Sequence, residues 1–428
     1  VGSVLSLDAI GKQDTYLLGN SSFFDYNVKR HSNFQVYQTT TFVPPFPGVP
    51  NWPFNGSSVY VTLYPKQMGD LLTKMYLQCT LPVLPDTLGM FPDSRYCDNV
   101  GRAIINSVKF SVDQYEVETL YDDWMHMYDD MYLTIEEKTA SQALTAGVGD
   151  RTKGPLDLYI PLNFFFSAKA SSYFPLCAAK NQKITLQIVF NSVNFFSNCR
   201  VTNPNPTYNL SLPSFNIVCE QIILSDLERV KFQESLRLLV PVSQRQPEVQ
   251  ANAGDTQIKV NLVMNMPVET VHWTLRQQLF EQADIVGVTN YFLNRYNYSA
   301  SDSTDIVVQS RNPIMSDMTI FINNQPDLGF FASQGNIDPT RAIYYRYAQP
   351  LKCKLSSPQI NAYTYTFSLD AMNNQLAGAI NFSQIPAQTT YLNINFLSNV
   401  VTPTSVYTCQ VFYMALRELK FSNGFMSF

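Results

Sequence analysis

The chain reads as an all-β protein built twice, as two consecutive sandwiches of about eight strands each. Three observations predict this. A length of 428 residues exceeds one ordinary core and suits two domains of about 200 residues. Short runs alternating apolar and polar residues recur from end to end, the period of a strand with one buried face. A hairpin phrase also recurs about half a chain apart. VKFSVDQYEVETLYDDWM, Val108 to Met125, carries a polar two-residue turn at Asp113-Gln114, and MTIFINNQPDL, Met318 to Leu328, carries one at Asn323-Asn324.

The elements follow in order. Strands are predicted at SVYVTLY (Ser58 to Tyr64), KITLQIVF (Lys183 to Phe190), TQIKVNLVM (Thr256 to Met264), YTYTFSLD (Tyr363 to Asp370) and YLNINFL (Tyr391 to Leu397). Leu156 to Phe166 is more continuously apolar and reads as a strand covered on both sides, with Pro161 favouring an edge or a bulge. Two segments read as helices. Leu120 to Leu144 places Trp124, Met127, Tyr128, Met131 and Ile135 on one face, with Asp122, Asp123, Asp129, Asp130, Glu136 and Glu137 mostly elsewhere. Ser225 to Ser235 begins with Ser225 as N-cap and Glu228 three residues on, the pattern of a capping box, and lies at the natural domain boundary. Val242 to Asp255, Ser299 to Asp305 and Thr145 to Gly154 are polar and read as loops. A pair of immunoglobulin-like domains is the alternative, but each half is about twice the usual size.

Composition narrows the function. Only 15% of residues are charged, against about 25% in an ordinary soluble domain, so part of the surface is expected to be covered by partners. The net charge is −5 and the 29 Lys and Arg are scattered. No basic stripe exists to displace counterions from phosphates, which argues against direct nucleic-acid binding. No apolar run is long enough to span a bilayer as a helix. Asp8, Gln13 and Asp14 interrupt the opening where a signal peptide needs an apolar core, so secretion by that route is not expected. Seven cysteines are widely spread without CxxC spacing. They read as buried, reduced thiols, which fits a reducing compartment.

A catalytic site is not legible. The three histidines, His31, His126 and His272, lack the spacing of zinc ligands. No nucleophile elbow or phosphate-binding loop is present, and GVGDRTKG (Gly147 to Gly154) lacks the GK[ST] ending. The acidic cluster Asp122 to Asp130 admits a Ca²⁺ site or a glycosidase-like carboxylate pair, but a solvated helix face accounts for it more simply. Catalytic residues, cofactor and metal are therefore all expected to be none. N-x-[ST] sequons stand at Asn20, Asn55, Asn209, Asn297 and Asn381. Asn297, beside a loop read as exposed, is the best placed for glycosylation.

Several phrases carry a family resemblance. LDAIGKQDTYLLG (Leu7 to Gly19) and FFDYNVKRHSNFQ (Phe23 to Gln35) resemble the opening of the major capsid proteins of nucleocytoplasmic large DNA viruses. Gly11, Gln13, Asp14, Tyr16, Leu17 and Gly19 fit the first family phrase; Tyr26, Arg30, His31, Asn33 and Phe34 fit the second. Val108 to Trp124, Leu156 to Phe190, FQES at Phe232 to Ser235, Tyr363 to Ile385 and Leu416 to Phe428 continue the likeness in order.

That resemblance implies two consecutive eight-stranded jelly rolls: an N-terminal arm at 1–22, a first roll at 23–224, a linker helix at 225–235 and a second roll at 236–428. It further implies a homotrimer forming pseudo-hexagonal capsomers that tile an icosahedral shell in the virion, assembled in the host cytoplasm. The expected partners are two further copies, neighbouring capsomers and minor capsid proteins. The arm, with Val1, Val4, Leu5, Leu7 and Ile10, is expected at the capsomer base near an internal membrane. Asp122 to Glu137, Thr145 to Gly154 and Ser299 to Asp305 are expected in the outer crown or between subunits. The rival readings are a minor capsid or penton-associated paralogue, and a carbohydrate-binding or glycoside-cleaving β-protein.

Overall fold

The computed structural model describes residues 33–44, 58–84, 95–147, 154–168, 172–197, 215–281, 294–326, 340–372, 377–401 and 405–428. The first half contains β1 (Phe34–Val43), β2 (Ser58–Leu63), β3 (Leu71–Leu81), β4 (Ile105–Val112), β5 (Tyr115–Tyr121), β6 (Leu156–Pro161), β7 (Phe174–Pro175), β8 (Ile184–Phe190) and β9 (Phe215–Leu224). They form two sheets, ordered β1-β9-β3-β6 and β2-β8-β4-β5, with β7 added to β3. The second half contains β10 (Leu236–Arg245), β11 (Val249–Ala251), β12 (Gln257–Asn261), β13 (Pro267–Gln277), β14 (Met315–Ile322) and β15 (Gln325–Pro326). It continues with β16 (Ala362–Thr366), β17 (Ile380–Asn381), β18 (Tyr391–Phe396), β19 (Tyr407–Ser422) and β20 (Phe425–Ser427). Its sheets are ordered β10-β19-β13-β16 and β12-β18-β14-β15, with β11 and β20 added to β19 and β17 to β13.

The two orders are the same when read strand for strand, and each is a jelly roll. The match extends to irregularities. β3 shifts register against β9 between Leu72 and Lys74, and β13 shifts against β19 between Val268 and Thr270. β4 shifts between Ile105 and Ser107, and β14 between Met315 and Asp317, each against its roll's penultimate long strand. The recurring hairpin phrase is β4–β5 in one roll and β14–β15 in the other. Its turns place Asp113, Asn323 and Asn324 at positive φ, which short polar side chains tolerate best.

Alternation buries Val59, Val61 and Leu63 of β2 and Ile184, Leu186, Ile188 and Phe190 of β8 inside the first roll. The second core is built around Val271, Trp273, Leu275, Val411, Tyr413, Leu392 and Ile394. β19 divides its side chains between the two cores. Val411, Tyr413 and Ala415 face the second roll, whereas Phe412 and Met414 join the first roll's core. The outer face of the β10-β19-β13-β16 sheet is therefore covered by the first roll.

Four sequence readings change. The first lies at Val242 to Asp255, read as a loop, which holds the buried end of β10 and all of β11 because Val242 and Ala251 pack inward. Leu156 to Phe166 is not one strand: β6 ends at Pro161 on a sheet edge. Phe164, Phe165 and Phe166 turn inward around Phe110, because a proline cannot donate to the ladder and the aromatic cluster recruits the rings. Leu120 to Leu144 splits into strand β5, helix α1 (Asp122–Met131) and helix α2 (Ile135–Leu144). Thr134 caps α2 in a reciprocal box with Glu137, which restarts the helix and leaves Ile135 exposed while Trp124, Met127, Tyr128 and Met131 stay buried. Helix α3 (Asp226–Gln233) forms as expected, but Ser225 makes no side-chain cap bond. Arg229 instead ties α3 to Asp70 at 2.8 Å.

Candidate assembly site

The sequence points to assembly, so the surfaces by which one roll meets another form the functional site. One such surface is filled within the chain. β5 runs directly into α1, which lies across the outer face of the second roll. Trp124, 1% exposed, stacks over Phe412 at 5.5 Å and His272 at 5.6 Å between centroids. One turn apart on the same face come Tyr128 and Tyr132, their rings parallel at 4.7 Å. This i, i+4, i+8 spacing keeps three aromatic rings on one side of a helix.

Polar groups in the seam are matched. The Tyr132 hydroxyl and Thr270 Oγ1 each lie 2.9–3.3 Å from their neighbours around His272 Nε2, and Thr364 Oγ1 lies 2.9 Å from Nδ1. Burial pushes the His272 imidazole down to about 3, so the ring is neutral and exchanges single hydrogen bonds. Arg276 of β13 donates to Asp123 Oδ1 at 2.7 Å and to Glu281 Oε1 at 3.0 Å. The Tyr298 hydroxyl donates to the same Asp123 oxygen at 2.7 Å. Burial pushes the Asp123 carboxyl upward, but Arg276 and Tyr298 outweigh it and hold the group low. At its neighbour Asp122, burial and the Asp123 charge outweigh the pull of Arg276 and Arg245 and push the carboxyl well up.

Further along α1, Asp130 Oδ2 accepts from the backbone N–H of Gln359 and Ile360 of the second roll, and Oδ1 accepts from Lys138 at 3.2 Å. Asp129 takes a bidentate contact from Arg102. Glu118 Oε1 accepts from the N–H and the hydroxyl of Ser243 across the seam, and Oε2 from the Phe165 N–H. Burial raises this carboxyl to about 7 against those donors. The C-terminal hairpin closes the seam's far end, where Asn181 donates its N–H to the Gly424 carbonyl at 3.0 Å. Gly424 has φ +84°, and a Cβ there would lie 2.5 Å from Asn181 Nδ2, so the contact needs glycine.

The acidic cluster is thus no solvated helix face, and the two carboxylates that border a small cleft, Asp129 and Asp130, are taken up by Arg102, by Lys138 and by backbone N–H groups. Asp122, Asp123 and Asp130 are buried against the second roll, a long-range consequence that helix periodicity does not carry. His126 stacks on Tyr296 at 4.4 Å in the same seam, and burial lowers its imidazole despite the nearby Asp130. Among the described residues no group of three or more His, Cys, Asp and Glu is placed to hold a metal ion. Cys79, Cys177, Cys219, Cys353 and Cys409 are buried free thiols, Cys97 is buried as well, and burial raises the Cys79, Cys219 and Cys409 thiols to about 12.

Asn297 does not sit as the sequence suggested. It is 1% exposed, and its Nδ2, the atom a glycan would need, donates to the Ser301 carbonyl at 2.7 Å. Asn381 is exposed, with Oδ1 accepting from the Ser383 N–H. Asn20, Asn55, Asn209, Cys199, His31, the arm at 1–22 and residues 148–153 lie outside the described residues. Of the loop Ser299 to Asp305, Ser299 is buried, while Asp302, Thr304 and Asp305 are exposed.

Among the described residues, a second surface of the same kind is open. The β1-β9-β3-β6 sheet of the first roll presents Tyr76, Tyr159, Val36 and Phe42 outward, and beside it lies a groove of about 590 Å³. The strand orders, the shared bulges and the helix clamped between rolls define a double jelly-roll protein. The family profile for the major capsid protein N-terminus matches residues 22–227, and that for the large eukaryotic DNA virus major capsid protein matches residues 228–426. The chain belongs to this family, the major capsid proteins of large eukaryotic DNA viruses.

Capsid protein 1 of Acanthamoeba polyphaga mimivirus is 27% identical over 301 residues, covering 64% of this chain and 49% of that protein. The major capsid protein of Pyramimonas orientalis virus is 26% identical over 303 residues, covering 68% of this chain and 67% of that one. The chain therefore spans about half the length of the first of these relatives. Among solved structures, PBCV-1 VP54, fitted into a reconstruction of the virophage Sputnik, superposes with a TM-score of 0.72 at 16% identity. That match covers 95% of this chain and 99% of the other. The Faustovirus major capsid protein gives 0.70 at 12% identity, covering 97% and 95%. At such identities the likeness is one of fold.

Proposed function

We propose that this chain is the major structural protein of an icosahedral virus shell and that its activity is assembly, with no catalytic step. Three copies close into a ring of six rolls, and the resulting pseudo-hexagonal capsomers tile the shell around an internal membrane. Residues 23–224 and 236–428 act as the two bricks of each copy, joined by the linker at 225–235. The arm at 1–22 reaches the capsomer base, where minor capsid proteins and the membrane lie.

The observation that carries this reading is the strand-for-strand repetition, bulges included. Two rolls of one design turn a threefold ring into a nearly sixfold block, which tiles a lattice of hexagons. Closure of that ring needs heterologous contacts, a different patch on each side of every joint. Obligate joints of this kind bury on the order of 2,000–5,000 Å², which suits a chain with so few charges. Light scattering on the purified full chain tests the reading. Three chains of 48.6 kDa give about 146 kDa, and a species of one-chain mass at micromolar concentration overturns it.

A further inference from the structure

Among the described residues, the chain carries two helix-on-sheet joints in kind and completes one. In the completed joint, α1 of the first roll lays Trp124, Tyr128 and Tyr132 on the outer face of β13 and β19. The second roll has its own helix between the corresponding strands β15 and β16, here α4, residues 340–352, formed of two helical ends around a π-type turn. Its inner side is anchored: Tyr345 packs on Trp273 at 5.6 Å, and Arg346 bonds the carbonyls of Gln359 and Ser310. Its outer side exposes Ile343 (59%), Tyr347 (38%) and Leu351 (76%). These residues repeat the i, i+4, i+8 spacing of Trp124, Tyr128 and Tyr132.

The receiving face is duplicated too. Counting from the shared bulge, Lys74 and Tyr76 of β3 occupy the places of Thr270 and His272 of β13. Across the ladders Tyr76 pairs with Val218 and Pro161, as His272 pairs with Phe412 and Thr364. Where α1 fills the second roll's face, the first roll has the groove of about 590 Å³, floored by Lys74, Tyr76 and Pro161 and walled by Tyr128, Leu133 and Leu144. The apolar surface continues to the edge strand, with Val36 and Phe42 half or more exposed.

We infer that the partner in this groove is a second copy of the chain, which inserts the Ile343–Tyr347–Leu351 side of its α4. The inference rests on the trimer reading and specifies its joint. Among the described residues, one chain offers an exposed apolar helix side and an unfilled groove with aromatic and aliphatic walls, built to the pattern of the pair it has already joined. Within the chain the completed joint runs from the first roll's α1 to the second roll's face. Repetition of the same step between chains is therefore head-to-tail.

The test uses the full chain in size-exclusion chromatography with light scattering. Wild type is expected at three-chain mass. Ile343→Asp with Leu351→Asp removes the helix contact, and Tyr76→Glu removes the groove contact; each variant is expected as a folded single chain by circular dichroism. Mixed together, they should form a two-chain species and nothing larger, since one intact helix and one intact groove remain. A wild type at one-chain mass overturns the trimer reading and this inference with it. A helix variant that stays at three-chain mass leaves the trimer standing and overturns the inference, as does a mixture that stays single-chain. If Tyr76→Glu does not fold, Lys74→Cys combined with Leu351→Cys replaces it. Oxidation should then link three chains covalently, whereas neither single variant should link; no interchain band overturns the joint.

Discussion

Asp122 and Asp123 are adjacent in sequence, both buried, and differ because Asp123 takes direct hydrogen bonds from Arg276 and the Tyr298 hydroxyl, whereas Arg276 acts on Asp122 through its charge. The difference has a measurable sign. Folded, burial and the Asp123 charge hold the Asp122 proton far above the ordinary carboxylate value; unfolded, it leaves near 3.8. Between those values the unfolded state binds fewer protons, so this group makes stability fall as pH rises. Asp122→Asn, neutral throughout, is expected to equal wild type near pH 4 and to exceed it by on the order of 1 kcal/mol or more at pH 8. Urea midpoints of both proteins across that range check it, and a constant difference rules it out. His272 slopes the other way, because burial holds it below the ordinary imidazole value, but it cancels in the comparison. Trp124 supplies a second test: truncation to Ala should cost about 3–5 kcal/mol, seen as a lowered urea midpoint. Sequence periodicity did place Trp124 on a buried face. It could not assign the aspartates, because their partners lie some 150 residues away and nothing local marks them as buried.

Capping separates the two helices that periodicity alone read as one. Thr134 Oγ1 accepts from the Glu137 N–H, and the Glu137 carboxylate accepts from the Thr134 N–H, so α2 starts afresh and turns Ser141 rather than Ile135 inward. Thr134→Ala is expected to lower stability by about 1 kcal/mol. Ser225→Ala should stay within about 0.5 kcal/mol, since Ser225 makes no side-chain cap bond. Paired thermal melts decide: equal losses contradict the assignment. The hairpin turns were legible because Asp113 and Asn323-Asn324 announce positive φ locally. So were the alternating strands β2, β8, β12 and β18. The inward turn of Phe164, Phe165 and Phe166 was not, since an apolar run reads the same whether it continues a strand or leaves one for an aromatic cluster. The capping motif at Ser225 was legible but unused, because Arg229 anchors the first turn of α3 through Asp70 instead.

At the scale of the whole molecule, the doubling was legible and the seam was not. A repeated hairpin phrase discloses two rolls; it does not disclose that β19 divides its side chains between two cores. That division has a thermodynamic consequence. Val240, Val242, Phe412, Met414, Leu419, Phe421 and Met426 of the second half belong to the first roll's hydrophobic cluster, so the first roll cannot close its core if the second unfolds. Two rolls joined only by a linker would melt separately, each with its own midpoint. With a shared core, loss of either exposes apolar surface on the other, at about 25 cal/mol per Å², and the transitions merge. Scanning calorimetry of the full chain, at concentrations too low for rings to form, is expected to give one transition. Trp124→Ala combined with Met426→Ala, which thins the seam at both ends while leaving each sheet intact, should split it into two. A wild-type trace with two resolved peaks would mean that the rolls are independent and that the seam is contact without cohesion. A single peak retained in the double variant would place the coupling in the buried Asp123–Arg276 and Glu118–Ser243 bonds rather than in the apolar contacts around α1.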